Sequence, residues 1–316
     1  MCEEKSRIEE NEYEIVSFKK IHISKIRDLY NKSYNKNKSL KIFNYKLNES
    51  PYGKPIGYLM KYKKIIVGFY VITPIIVKIN CKNILGGMSF LTMTHPDHQR
   101  KGIFTKLAKK TFSTAKKKGY KFIFGYSANK NSIDGFKKLG FTHNTIYYYE
   151  LNKKNKLSKK YLKSLTNNFP NGIDSLLEEC KETKQNKIQL LKNKKFLQWR
   201  FEKNPTNYLT VYKENQYFII FKKFDNILHI IDFFSKSNNF KEILIKTAIQ
   251  EAKRLKCDKI TTWTPKITNQ KINNINSLKK EKSPNYFVIK KLDSKLNSDI
   301  LELKNWHYTM TNSDIF

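Results

Sequence analysis

The stretch Gly86–Phe141, GGMSFLTMTHPDHQRKGIFTKLAKKTFSTAKKKGYKFIFGYSANKNSIDGFKKLGF, constrains the fold of this chain more than any other. Leu85–Thr94 is β-rich and runs into a His-Pro-Asp-His turn. Beyond Gly102, the residues Leu107, Ala108, Phe112 and Ala115 recur at helical spacing and predict a helix over Phe104–Lys118. Phe122–Ser127 reads as a second strand, Ser132 and Phe136 suit a short helix, and Leu139-Gly140-Phe141 closes the run. Strand, glycine-bearing loop, long helix and strand form an α/β unit.

The loop carries Gln99-Arg100-Lys101-Gly102 directly before the helix. A helix N-terminus offers unpaired backbone N–H groups and the positive end of the peptide dipole, so a pyrophosphate is its natural ligand. Gly102 lets a ligand approach the backbone, and Arg100 and Lys101 add countercharge. On the six residues Gln99–Phe104 alone, a Pro-Asp turn followed by a basic helix cap remains an equal reading.

With its context the run Gln99-Arg100-Lys101-Gly102-Ile103-Phe104 resembles the pyrophosphate-binding loop of the GNAT acyl-CoA-dependent N-acetyltransferases. That pattern is Gln or Arg, two residues, Gly, one residue, then Gly or Ala; here Phe104 stands at the last position. The resemblance spans residues 13–151 and implies acetyl-CoA as co-substrate and no metal. It implies that Thr92, Met93 and Thr94 hold the pantetheine arm through their backbone, like an added strand. It also implies that Asn129 contacts the arm. Phe136 falls where many members carry a Tyr that protonates the departing thiolate. Phenylalanine has no such proton, which leaves Ser132, Tyr126 or solvent as donor. The implied reaction is direct attack of a deprotonated primary amine on the acetyl carbonyl. The N–H of Met93 or Thr94 would stabilise the oxyanion.

The rest of the chain reads as two copies of one order. Tyr13–Phe18 is a first strand, and Ser24 is placed to cap a helix bearing Ile26, Leu29 and Tyr30. Gly57–Tyr62 and Ile65–Ile72 form a hairpin, with Pro74 as an interruption before Ile75–Ile79. In the second half, Tyr208–Tyr212 and Tyr217–Phe221 form a hairpin across Glu214-Asn215. Ile227–Phe234, a helix over Lys241–Leu255, Lys259–Trp263, Tyr286–Leu292 and Trp306–Met310 follow. The expected architecture is therefore α/β (α+β), with two GNAT-like domains, each a mixed, mostly antiparallel twisted sheet flanked by helices. The expected division is a catalytic domain over 1–155, a helical junction over 156–195 and a degenerate copy over 196–316. The second copy has Ser-Lys-Ser-Asn-Asn-Phe-Lys where the loop should be, without glycine, so it is expected to shape an acceptor pocket rather than bind CoA. Trp263, Trp306 and Tyr308 suit a sugar face there, as they also suit a core. Asp314, in a tail of aromatics and hydroxyls, resembles the closing carboxylate of tandem GNAT proteins of surface-glycan synthesis; it is a candidate proton acceptor, or a solvated end.

Composition narrows the partners. The net charge is +35, yet only five of the 62 basic residues are Arg and the lysines are spread along the chain. Phosphate-reading surfaces favour Arg for its bidentate fork, so the charge is read as compositional bias rather than a nucleic-acid surface. Four scattered cysteines give neither a zinc nor a disulfide pattern, and the charged N-terminus lacks an apolar signal core. A cytoplasmic N-acetyltransferase of a small amine, such as an aminosugar or nucleotide-sugar, is the leading expectation. A tRNA-dependent aminoacyl-transferase of the tandem GNAT type and a non-catalytic acyl-CoA or nucleic-acid binding module are the alternatives. The oligomeric state is left open.

Overall fold

The fold is taken from a computed structural model, which describes residues 12–48, 50–80, 82–127, 130–152, 165–166, 173–179, 188–236, 240–263 and 279–314. In chain order the strands are β1 (Tyr13–Ser17), β2 (Ile56–Tyr62), β3 (Ile65–Ile79), β4 (Lys82–Thr94), β5 (Phe122–Ser127), β6 (Thr142–Asn152), β7 (Leu165–Thr166), β8 (Ile188–Leu190), β9 (Leu209–Lys213), β10 (Tyr217–Phe224), β11 (Ile227–Ser235), β12 (Lys259–Thr262), β13 (Lys279–Lys291) and β14 (Trp306–His307). The helices are α1 (Ile23–Tyr34), α2 (Leu40–Lys46), α3 (Ile103–Lys117), α4 (Lys130–Lys138), α5 (Ile173–Glu179), α6 (Lys194–Leu197) and α7 (Phe240–Arg254), with a π turn over Gln198–Glu202. It is a mixed α/β fold, its strands mostly antiparallel and flanked by helices. No helix among the described residues is long and apolar enough to cross a membrane.

Two compact units divide the chain. The first comprises Met1–Ile76, Ile84–His143 and Val288–Asn297; the second comprises Val77–Asn83, Asn144–Phe287 and Ser298–Phe316. The division falls within β6, between His143 and Asn144, and within β13, between Phe287 and Val288.

In the first unit the strand order is β1-β2-β3-β4-β5-β13. β1, β2 and β3 are antiparallel neighbours, whereas β4 and β5 run parallel. β3 is covered on both faces, and a bulge opposite Met60/Lys61 shifts its alternation between Ile66 and Gly68. Val67, Tyr70 and Ile72 pack under α3, together with Ile103, Leu107, Ala108, Phe112 and Ala115. Ile66, Phe69 and Val71 join Ile23, Ile26 and Leu29 of α1 and Phe43 of α2 on the other face. Val288 of β13 completes the α3 side.

The second unit has the order β6-β12-β11-β10-β9-β7. β11 and β12 are its parallel pair, joined by α7, and β9, β10 and β11 are antiparallel. The parallel pairs of both units are thus bridged by a helix of 15 residues, α3 in one and α7 in the other. Leu244, Ile245, Ala248, Ile249 and Ala252 form the buried stripe of α7. His229 is buried on β11 with Nδ1 2.8 Å from Thr261 Oγ1. Burial, reinforced by Lys222, pushes its pKa down to about 4, so it is neutral.

Several local expectations are corrected. Ser24 lies inside α1, whose N-cap is His22. Pro74 does not interrupt β3: pairing with β2 ends at Ile72, so the missing N–H breaks no bond on that side. Trp306–Met310 is a strand only over Trp306–His307, with a tight turn at Met310–Asn312. Trp263 and Trp306 are core residues, the indole of Trp306 donating to the Ile300 carbonyl at 2.8 Å. Tyr308 is also buried, and burial raises its phenol pKa.

Candidate active site

β4 and β5 pair from Gly87/Ile123 to Ser89/Gly125. β4 then continues to Thr94 and β5 to Ser127, and β5 pairs with none of Phe90–Thr94 among the described residues. The departure coincides with Leu91, a non-glycine residue at φ 45°. A leucine in that left-handed region costs roughly 1–2 kcal/mol, so the kink is imposed by its surroundings. Phe90 and Met93 anchor it, both buried against α1 and α2. The result is one edge of β4 carrying main-chain groups that no strand of this sheet covers.

The edge is identified by a single bond. The His95 N–H reaches back to the Val67 carbonyl of β3 at 2.8 Å. Polar groups alternate along a strand, so the N–H and C=O of Thr94 face away from β3, and those of Thr92 do the same. Of the two oxyanion donors expected from sequence, Met93 and Thr94, the alternation favours Thr94.

Directly beyond lies the loop. Pro96–His98 forms a single tight turn, and Asp97 N–H donates to His95 Nδ1. Gln99, Arg100, Lys101 and Gly102 are all exposed. Arg100 at φ 62° and Gly102 at φ 72° curl the backbone, and Gly102 is the N-cap of α3. A Cβ at Gly102 would meet nothing within 4 Å, so the space beside this N-cap is open. Ile103 is buried and roots the helix start in the core. His98 is flanked by Tyr13, whose hydroxyl is 2.7 Å from Nδ1, and by the ring of Tyr62. Burial, then His95 and Lys101, lowers the His98 pKa, which keeps the imidazole neutral and bonded to Tyr13. His95 and His98 thus serve as turn and edge groups.

The two departures from the sequence pattern prove to be one packing event. Phe104 meets Phe136 edge to face at 5.5 Å and Tyr70 at 5.7 Å. Phe136 is buried and also contacts Phe141 at 4.9 Å. Room for the Phe104 ring exists because residue 135 is glycine; a Cβ there would lie 2.9 Å from Phe104 Cε1. We expect Gly135→Ala to cost about 1–3 kcal/mol by overpacking, and much less on a Phe104→Ala background. Denaturant unfolding of the four proteins in this cycle measures the coupling; additive losses would separate the two positions.

On β5, Ser127 Oγ is 2.6 Å from Ser132 Oγ at the start of α4. Ser132 is half-buried, and the hydroxyl of Tyr126 is buried. Ser127, absent from the sequence expectation, is found because a strand end and the next helix turn face each other, which spacing alone does not reveal. Asn129 lies outside the described residues. Asp314 belongs to the second unit, half-buried just past the Met310–Asn312 turn. Asp134 is exposed on α4. Among the described residues no three His, Cys, Asp or Glu side chains cluster as metal ligands.

No curated protein matches the sequence significantly. Among solved structures, the fold is similar to a GCN5-related N-acetyltransferase from Kribbella flavida, with TM-score 0.66, 10% identity, and 89% of this chain and 71% of that one covered. It is likewise similar to a GCN5-related N-acetyltransferase from Anabaena variabilis, with TM-score 0.65, 12% identity and coverage of 89% and 73%. A third similarity is to N-myristoyltransferase of Saccharomyces cerevisiae with bound myristoyl-CoA, with TM-score 0.59, 14% identity and coverage of 88% and 78%. At these identities the likeness is one of fold. The sequence of residues 14–143 itself matches the family described as acetyltransferase (GNAT) domain. Strand β1 from Glu14 onward, the kinked β4, the Gln99–Gly102 loop and α3 all fall inside that match.

Proposed function

We propose that the chain transfers an acetyl group from acetyl-CoA to a primary amine of a small molecule, an aminosugar or nucleotide-sugar being the preferred acceptor class. The observation that carries this reading is the juxtaposition, within residues 14–143, of a β4 edge that β5 leaves unpaired and an exposed Gly102 N-cap of α3 with open space beside it. The edge suits an amide-bearing arm added in the manner of a strand. The helix start, with Arg100 and Lys101, suits the pyrophosphate.

In the proposed reaction the neutral amine nitrogen attacks the thioester carbonyl. The C–N bond forms as the carbonyl oxygen takes up negative charge, which the Thr94 N–H stabilises. Collapse breaks the C–S bond. The thiolate then takes a proton from the Ser127–Ser132 hydroxyl pair, Tyr126 or water, and the surplus amine proton, relayed through solvent, restores that donor. Phe136 takes no part in proton transfer, since its ring is spent on Phe104 and Phe141.

The reading is tested by mixing the protein with acetyl-CoA and a panel of amines, including aminosugars and their nucleotide conjugates, and following free thiol. Amine-dependent thiol release is the expected result. Tight retention of CoA without release from any amine would make the chain a binding module instead. Strongly salt-dependent RNA binding would favour a tRNA-linked donor.

A further inference from the structure

Helix α1 ends at Asn35, a left-handed C-cap at φ 48° whose N–H bonds the Asn31 carbonyl. That stop places its last two residues, Ser33 and Tyr34, over the end of β4. The Tyr34 hydroxyl donates to the Thr92 carbonyl at 2.6 Å, and the Ser33 hydroxyl donates to the Thr94 carbonyl at 3.4 Å. These are alternate residues, so both bonds fall on the edge that faces away from β3. The Tyr34 ring is steadied by Tyr30 at 4.8 Å, and Tyr30 rests on Phe43 of α2 at 5.3 Å. Nevertheless Tyr34 is 44% exposed, which sets it at the surface of the domain rather than in its core.

The position matters because of Leu91. A strand kinked at a left-handed leucine, and released there from β5, needs other contacts to keep its last residues in one place. Phe90 and Met93 hold its side-chain face in the core. Two hydroxyls from one helix end hold its main-chain edge. We propose that Tyr34 is a positioning residue of the acyl site: by holding the Thr92 carbonyl it fixes the β4 edge past the kink, and so keeps the Thr94 N–H aimed at the thioester carbonyl. Ser33 supports the same edge through a longer and weaker bond. This rests on the acyl-transfer reading above.

Tyr34→Phe removes the hydroxyl and keeps the ring, so it isolates the bond. The expected result is a fall of about tenfold in kcat for thiol release, roughly what one hydrogen bond to a carbonyl is worth. KM for acetyl-CoA should stay within about twofold and the melting temperature should not move, because the packing is unchanged. Amide exchange measured by mass spectrometry over Phe90–Thr94 should quicken. Ser33→Ala should show the same pattern with a smaller amplitude. An active Tyr34→Phe protein with kcat and exchange equal to wild type overturns this inference and leaves the acyl-transfer reading standing. A joint loss of melting temperature, CoA retention and kcat also overturns it, as the role would then be merely structural. Wild-type protein that neither retains CoA nor releases thiol overturns both.

Discussion

Gly102→Glu is expected to weaken CoA binding about a hundredfold or more while leaving the protein folded. Gly102 caps α3 at φ 72°, and a Cβ there would enter open space. Any L-residue at that position carries a strain of roughly 1–2 kcal/mol, which a domain of this size withstands. The larger effect is electrostatic and local. A glutamate at the N-cap can fold its carboxylate onto the orphan N–H groups of the first turn, the donors that a pyrophosphate needs. It also sets a negative charge at the positive end of the helix, in place of the ligand. Gly102→Ala separates the two contributions: it carries the same strain without charge, and should cost about 1 kcal/mol of stability with affinity reduced no more than about tenfold. Calorimetric titration with CoA, beside a thermal melt, reads both. Equal CoA affinity in Gly102→Glu and wild type would move the phosphate site away from this loop.

The features that make this prediction possible were legible in the sequence because they are local. The apolar stripe Leu107, Ala108, Phe112 and Ala115 repeats at helical spacing, and all four are buried on α3, within one residue of the expected bounds. The hairpin across Glu214-Asn215 was equally readable, and Asn215 supplies the positive φ that a tight turn requires. What could not be read is settled by partners far along the chain. Tyr34 acquires its interest only from Thr92, 58 residues away. Asn35 is a residue type that tolerates the left-handed C-cap ending the helix after Ser33 and Tyr34, but no periodicity points a tyrosine at a carbonyl. Phe104 looked like a defect in the loop pattern until Gly135 and Phe136 stood beside it. The contribution of Val288 to the core under α3 has no local signature, since strand pairing at such separation follows from tertiary packing rather than propensity.

In the second unit a different residue pair sets the largest expected effect. Lys192 Nζ lies 2.6 Å from Asp232 Oδ2, and their side chains are 5% and 0% exposed. Lys192 also donates to Thr309 Oγ1 at 3.1 Å, and the second oxygen of Asp232 accepts the Phe233 N–H at 3.0 Å. Asp232 stands on β11, in a run of buried residues, so water cannot reach it when the lysine is removed. Lys192→Met is therefore expected to destabilise the protein by about 3–5 kcal/mol, the cost of stranding one buried charge. Adding Asp232→Leu should restore most of that loss, because a buried ion pair gains little over apolar packing of similar volume. The chain end bears on the outcome as well. Thr309, Thr311, Asn312 and Ser313 are buried, held by Lys192 at Thr309 and by Arg200 at the Ser313 carbonyl, 2.8 Å away. If the lysine acts mainly as an anchor for this segment, the double variant will recover stability in denaturant unfolding yet remain faster in amide exchange over Thr309–Ser313. If it acts only to neutralise Asp232, both measurements will return together. A single-variant loss below about 1 kcal/mol would mean that solvent screens the pair as it screens a surface one.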